Sequence, residues 1–403
     1  MNSALKNYAT YVNNKIDVCE ISLNQYISTD NILQNKQGIE CAASLPIQGG
    51  KVTAFKKGDI LLANIRPYLK KIWYAQFDGG CSADVLAIRA NAKIDSHFLF
   101  YALFRDDFFI HAMKGSKGTK MPRGDKSQIL EFKIPVFNPK TQQSIAAVLS
   151  ALDKKIALNK QINARLEEMA KTLYDYWFVQ FDFPDANGKP YKSSGGEMVF
   201  DETLKREIPK GWEVKSLGEI ENNIITGKTP STQYSNFFNG DIPFITIGDI
   251  RNNTFIIKTE QNLSIEGANN QKNKYLPEGS LCVSCIATVG LIGFTTRQAQ
   301  TNQQINSIIF KHDYNKEFLY FYLKDYFLVG KAKTGNTFAN MNKGDFEKIL
   351  VLYPNLKLLQ KYSNKMVLVF NQINNLSKQN HQLTQLRDFL LPMLMNGQVS
   401  VAE

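Results

Sequence analysis

The sequence has no stretch approaching the roughly 18 consecutive apolar residues that a membrane-crossing helix needs, and its start, MNSALKNYATYVNNK, has no apolar signal-peptide core. A soluble, cytoplasmic protein is expected. Cysteine is sparse: Cys19, Cys41, Cys81, Cys282 and Cys285 are an odd number spread over 403 residues, which is no disulfide framework and points to reduced thiols. Histidine is sparser still. His97, His111, His312 and His381 are scattered, and none stands near a serine or cysteine at a spacing that suggests a catalytic triad.

Motifs for bond-making chemistry are missing as well. Gly227-Lys228-Thr229 invites a phosphate-loop reading, but that motif needs a glycine five residues before Gly227, and Asn222 stands there, so the backbone cradle is absent. Cys282-x-x-Cys285 has no second pair at zinc spacing, which favours strand packing over metal binding. Pro184-Asp185 with Glu213-Val214-Lys215 imitates a nuclease carboxylate set, but its halves fall in a breaker-rich segment and at the opening of the next domain. No Asn- or Asp-Pro-Pro-aromatic loop and no glycine-rich cofactor turn marks an adenine methyltransferase. The chain is expected to be non-catalytic, with no cofactor and no metal of its own.

What is present is a surplus of basic residues and a repeat. With 43% hydrophobic and 21% charged residues the chain can bury a core, which excludes overall disorder. Lysine plus arginine number 48 against 37 acids, a formal charge of +11, and this favours a polyanionic partner, nucleic acid first. His97–Leu103 matches Glu317–Leu323 at an offset of 220, as does Met121-Pro122-Arg123-Gly124-Asp125 with Met341-Asn342-Lys343-Gly344-Asp345. Gly58-Asp59-Ile60-Leu61 answers Gly279-Ser280-Leu281-Cys282 at 221. Two copies of one domain are implied, each a mixture of short strands and helices, α/β with an irregular sheet.

Each copy is followed by a long helical pattern without interior glycine. In the first, positions 145, 149, 152, 156, 159, 163, 166, 170, 173 and 177 step by four and three, and the same seam recurs 217 residues later, from Tyr362 to Leu394. Antiparallel pairing of these helices about a pseudo-twofold axis would bring Asn163 and Asn380 together, and such a buried pair would fix helix–helix register at some cost in stability. The fold class expected is therefore α+β, with two α/β domains separated by two long antiparallel coiled-coil helices. The expected boundaries are domain 1–140, helix 141–180, linker 181–210, domain 211–355, helix 356–395 and tail 396–403.

Candidate contacts with DNA follow from charge and loop chemistry. The loop KGSKGTKMPRGDK carries Lys114, Lys117, Lys120 and Arg123 among glycines that let the backbone approach a phosphate. Its counterpart carries Lys333, Asn336, Thr337 and Asn340, and asparagine suits a two-pronged contact with adenine. Arg66, Tyr68, Lys70 and Lys71 form a second basic cluster after an expected strand, and Lys228 with Thr229 open a loop of the second copy. Gly124, Asp125, Gly344 and Asp345 are expected to form turns. A protein scaffold whose basic charge is incidental is the competing reading, and a steep salt dependence of duplex binding separates the two.

Over almost its whole length the sequence resembles the specificity subunit of type I restriction-modification systems. The segments that carry the likeness are Tyr26-Ile27-Ser28-Thr29, Gly58–Pro67, WFVQFDFPDANGKPYKSSGGEM from Trp177, IPKGWEVKSLGEI from Ile208 and Thr226-Gly227-Lys228-Thr229-Pro230-Ser231. The resemblance implies two target-recognition domains, each reading half of an asymmetric bipartite DNA site, with the helices as ruler and docking surface. It also implies two methylation subunits that carry S-adenosylmethionine and two restriction subunits that use ATP and Mg.

Overall fold

A computed structural model of the chain describes residues 2–46, 50–116, 118, 120–334 and 340–401. They divide into two compact units, Met1–Ile156 with Leu383–Glu403, and Ala157–Gln382. No helix among the described residues is long and apolar enough to cross a membrane.

The first unit is organised by an antiparallel sheet in the spatial order Ala9–Tyr11, Val85–Ala90, Ile60–Ala63, Ile72–Tyr74. Ile60-Leu61-Leu62-Ala63 is an unbroken apolar run because both its faces are covered. One face lies under the aromatic helix Ser96–Phe104, and the other faces Phe55 and Trp73. Asp95 caps that helix by accepting from the Phe98 amide at 2.9 Å. A second sheet orders Lys15–Asp17, Lys51–Phe55, Gly79–Cys81 and Tyr26–Ile27.

The second unit repeats this plan. Ile224–Thr226, Ile305–Ile308, Leu281–Ser284 and Ile292–Thr295 lie in the same order as their counterparts, with Phe255–Ile256 added at the edge. Parallel pairing of Tyr26–Ile27 with Gly80–Cys81 recurs as Phe244–Ile245 with Gln300–Thr301. Most other pairings are antiparallel, so each unit is α+β rather than the α/β expected of it. Strand Asn2–Ala4 pairs with Lys133–Pro135, as Glu213–Ser216 pairs with Leu350–Tyr353. Leu5 and Leu217 follow these strands and are both fully buried, so the first strand of the chain is built into the repeat.

Two long helices, Pro139–Tyr174 and Leu356–Met395, each begin in one unit and end in the other. The first continues as a π-helical turn, Asp175–Val179, and stops where Phe181 takes a left-handed conformation (φ 66°). The segment expected to be a linker is folded: Met198–Asp201 and Arg206–Pro209 form a hairpin, and the Phe183 ring stacks on Tyr191 and Trp212. Phe181 and Phe183 of this segment, with Trp212 just after it, join the core of the second unit, where their large apolar rings are buried.

Candidate nucleic-acid interface

At the end of strand Ile60–Ala63 three chain segments converge on one corner. The Asn64 amide donates to Asp84 O at 2.8 Å, the Gly124 amide donates to Asn64 O at 3.0 Å, and the Arg66 amide donates to Pro122 O at 2.7 Å. Two basic clusters that the sequence kept apart thus meet at this corner, through Arg66 of one and Pro122–Gly124 of the other. Arg66 and Lys70 both stand in the left-handed region, at φ 52° and 51°. For residues with a Cβ this conformation costs about 1–2 kcal/mol, a strain that persists where the surroundings enforce it.

The candidate side chains sort into two kinds. Lys114 and Lys120 are exposed, Tyr68 is 51% exposed, and the Arg123 guanidinium stands out from the surface while pairing with Asp84 at 2.9 Å. Lys70 and Lys71 each have a partner within the unit. Lys70 pairs with Asp106 at 3.1 Å, and Lys71 donates to Thr29 O, where desolvation pushes its ammonium pKa below the usual lysine range. Lys117, Asn336 and Thr337 lie outside the described residues, and Lys333 falls in the last turn of helix Lys316–Thr334.

The second unit builds the same corner. The Cys285 amide donates to Gln304 O at 2.8 Å, and the Met341 amide donates to Cys285 O at 2.9 Å. Ala287, the counterpart of Arg66 at an offset of 221, is left-handed too (φ 63°), as is Gly290 (φ 87°) three residues on. Asn340 is exposed, and its Oδ1 accepts from the Ala287 amide at 3.3 Å. Lys228 is exposed, and Thr229 Oγ1 donates to Gln303 Oε1 at 2.7 Å. Gly227 is required by close packing: a Cβ there would lie 2.2 Å from Asn302 O. Its motif is therefore a strand-end crossing and no phosphate cradle.

Two expectations need correction. Asp125 caps helix Lys126–Leu130 through its carboxylate, and Gly124 is confined by Asn64 Oδ1, 2.9 Å from a would-be Cβ, so both form the turn as expected. Gly344 and Asp345 do not: they lie inside helix Lys343–Glu347, whose cap is Asn342. The structural counterpart of Asp125 is thus Asn342, at 217, because both cap a helix that buries the fourth residue on, Ile129 or Phe346. Nor do Asn163 and Asn380 bond each other. Asn159 Nδ2 donates to Asn380 Oδ1 at 3.0 Å and to Gln379 Oε1 at 2.7 Å, and Asn163 Nδ2 donates to Ser377 Oγ at 3.2 Å and to Ile373 O at 3.4 Å. The numbers fall along one helix as they rise along the other, so these stretches of the second unit run in opposite directions.

The cysteine pair belongs to the strand and its end. Cys282 and Cys285 are buried, and burial pushes their thiols up to about 12 and about 11. Asp185 Oδ1 accepts from the Asn187 and Lys189 amides at 2.8 Å, a turn rather than a nuclease carboxylate. Sequence reasoning missed Asn64, Asp84, Ala287 and Gln304. Extending the 221-residue match forward from Gly58 and Gly279 would have placed Arg66 on Ala287.

Two like units, each with one corner drawn from three segments and presented beside basic or amide side chains, define a duplicated recognition protein. Residues 4–168 and 209–385 match the family described as the type I restriction modification DNA specificity domain. The chain is 34% identical to the type I restriction enzyme HindI specificity subunit of Haemophilus influenzae, over 93% of its own length and 94% of that subunit. It is 30% identical to the MjaIX specificity subunit of Methanocaldococcus jannaschii, over 87% and 79% of the two chains. A crystal structure of the type I system S subunit from M. genitalium shares the fold at a TM-score of 0.56 and 17% identity, over 98% of this chain and 96% of that one. The chain belongs to the type I restriction-modification specificity family. It is a sequence-specific DNA-recognition subunit and not an enzyme.

Proposed function

We propose that the chain reads an asymmetric bipartite DNA site, one half through each unit, and directs methylation and restriction subunits to it in the cytoplasm. The observation that carries this reading is the repeat itself: one backbone frame occurs twice in one chain, with unlike side chains at its corner. A dimer of identical chains reads a symmetric site, whereas covalent linkage of unequal copies permits unlike halves. Opposed stretches of two long helices support their pairing as an antiparallel coiled coil that sets the distance between the halves.

Two methylation subunits, carrying S-adenosylmethionine, would dock on this helix pair, and two restriction subunits, using ATP and Mg, would join them. Exposed Leu158, Ile162, Met169, Leu368 and Phe389 on the long helices are apolar area for such docking. The domains expected at 1–140 and 211–355 are the exchangeable parts. Replacing residues 1–140 with the corresponding domain of another specificity subunit, in the assembled methylation complex, should change one half of the methylated site and leave the other. A change in both halves would contradict the modular reading.

A further inference from the structure

The two corners are one frame carrying different readers. Equivalent backbone bonds align them residue by residue: Asn64 to Asp84 with Cys285 to Gln304, and Gly124 to Asn64 with Met341 to Cys285. The side chains placed on this frame differ in kind. Asp84 and Arg123 of the first unit stand where Gln304 and Asn340 stand in the second, and Arg66 stands where Ala287 does. Resting on the proposed half-site reading, we infer that Arg123, positioned by Asp84, reads a guanine in the half-site of the first unit, and that Asn340 reads an adenine in the half-site of the second.

The chemistry of each corner separates base reading from phosphate holding. A carboxylate beside an arginine repels phosphate, so Asp84 would weaken a backbone contact. Toward a neutral base edge the same carboxylate acts differently: Asp84 Oδ1 pairs with Arg123 Nη2 alone, at 2.9 Å, and draws that edge of the guanidinium aside, while the remaining N–H groups can reach guanine O6 and N7 as a fork. Asn340 is held likewise, by the Ala287 amide on Oδ1. A second lone pair on Oδ1 and the Nδ2 hydrogens match adenine N6 and N7. Further polar capacity lies in the first corner, where Asn64 Oδ1 and Arg66 Nε are buried with no hydrogen-bond partner among the described residues. Arg123 and Asn340 are exposed, so truncating either removes no core packing.

The test uses the full chain assembled with its methylation subunits and a duplex library randomised in both half-sites, with methylated products sequenced. The wild-type profile should specify guanine in one half and adenine in the other. Arg123→Ala should lower the guanine preference at one position of the first half by roughly 5- to 150-fold and leave the second half unchanged. Asn340→Ala should do the converse. The paired exchange Arg123→Asn with Asp84→Gln should move the first-half preference from guanine toward adenine. The unaltered half-site reports that each variant is folded and assembled.

An unchanged profile in Arg123→Ala would overturn the inference. So would an equal loss on all sequences with a salt slope shallower by about one, which marks a phosphate contact. Failure of the proposed function looks different: exchange of residues 1–140 would then change both halves of the methylated site.

Discussion

Glu317 and His97 occupy one position of the repeat, at the start of equivalent helices, and both are titratable groups pressed into apolar surroundings. Glu317 is 6% exposed, and burial pushes its carboxyl up to about 7, with Ser363 Oγ donating at 3.2 Å and Lys316, Asp313 and Tyr362 as electrostatic neighbours. His97 lies against the Tyr74 ring at 4.1 Å, and desolvation lowers its imidazole. The signs are opposite. A raised carboxyl means the folded state holds its proton longer than the unfolded chain, so stability falls as pH climbs from about 4.5 to about 7, by about 3 kcal/mol. The lowered imidazole instead loses stability as pH falls through the ordinary histidine range. Glu317→Gln should therefore leave the melting temperature unchanged near pH 4.5 and raise it progressively up to pH 7 and beyond. A gain of equal size at every pH would show that the carboxylate charge is not the cause.

At the scale of elements, the helix seam was legible because a four-three step survives any domain attached to it. Ile145, Leu149, Ile156, Ala170 and Trp177, all picked from that step, are buried, and so are Tyr362, Met366, Ile373, Leu376 and Leu394. The pairing of individual amides was not legible, since the phase of two helices is set by side-chain packing that periodicity does not contain. Asn159, fully buried, meets Asn380 four residues from the expected partner. Gly344 was misread for a related reason: glycine and aspartate suit both a turn and a first helical turn, so a five-residue match could not distinguish an offset of 220 from one of 217. The step places Arg387 on the seam but not its partner: it is held at 2.8 Å by Asp153, which also accepts from the Tyr101 hydroxyl. The register contacts make a concrete prediction. Asn159→Leu with Asn380→Leu exchanges a buried amide pair for apolar packing, so the melting temperature should rise by a few degrees, while methylated sites with an altered gap between their halves should begin to appear. A lower melting temperature with an unchanged gap would show that these amides stabilise the pair without selecting its register.

For the molecule as a whole, the +11 charge announced a polyanionic partner, but charge alone could not say which lysines meet it. The fold divides them. Lys70 and Lys71 are tied to Asp106 and Thr29 O, and Lys36 shares Asp106 at 2.6 Å, so these lysines already have partners within their own unit. Lys114, at the end of helix Asp106–Lys114, and Lys120, three residues before Arg123, are exposed. Each lysine that neutralises a phosphate releases counterions and contributes about 0.9 to the slope of log K against log salt. Lys114→Gln with Lys120→Gln should thus flatten the slope for duplex binding by about 1.8 and weaken all sequences alike, without disturbing the base preferences of either half-site. Lys70→Gln with Lys71→Gln should leave the slope where it was and lower the melting temperature, because it removes an ion pair and a hydrogen bond from the fold. Titrations of the assembled methylation complex across a salt series distinguish the two pairs. Equal slopes in both variants would mean that the exposed loop stands away from the DNA backbone, and the electrostatic footprint would then have to lie on another face of the first unit.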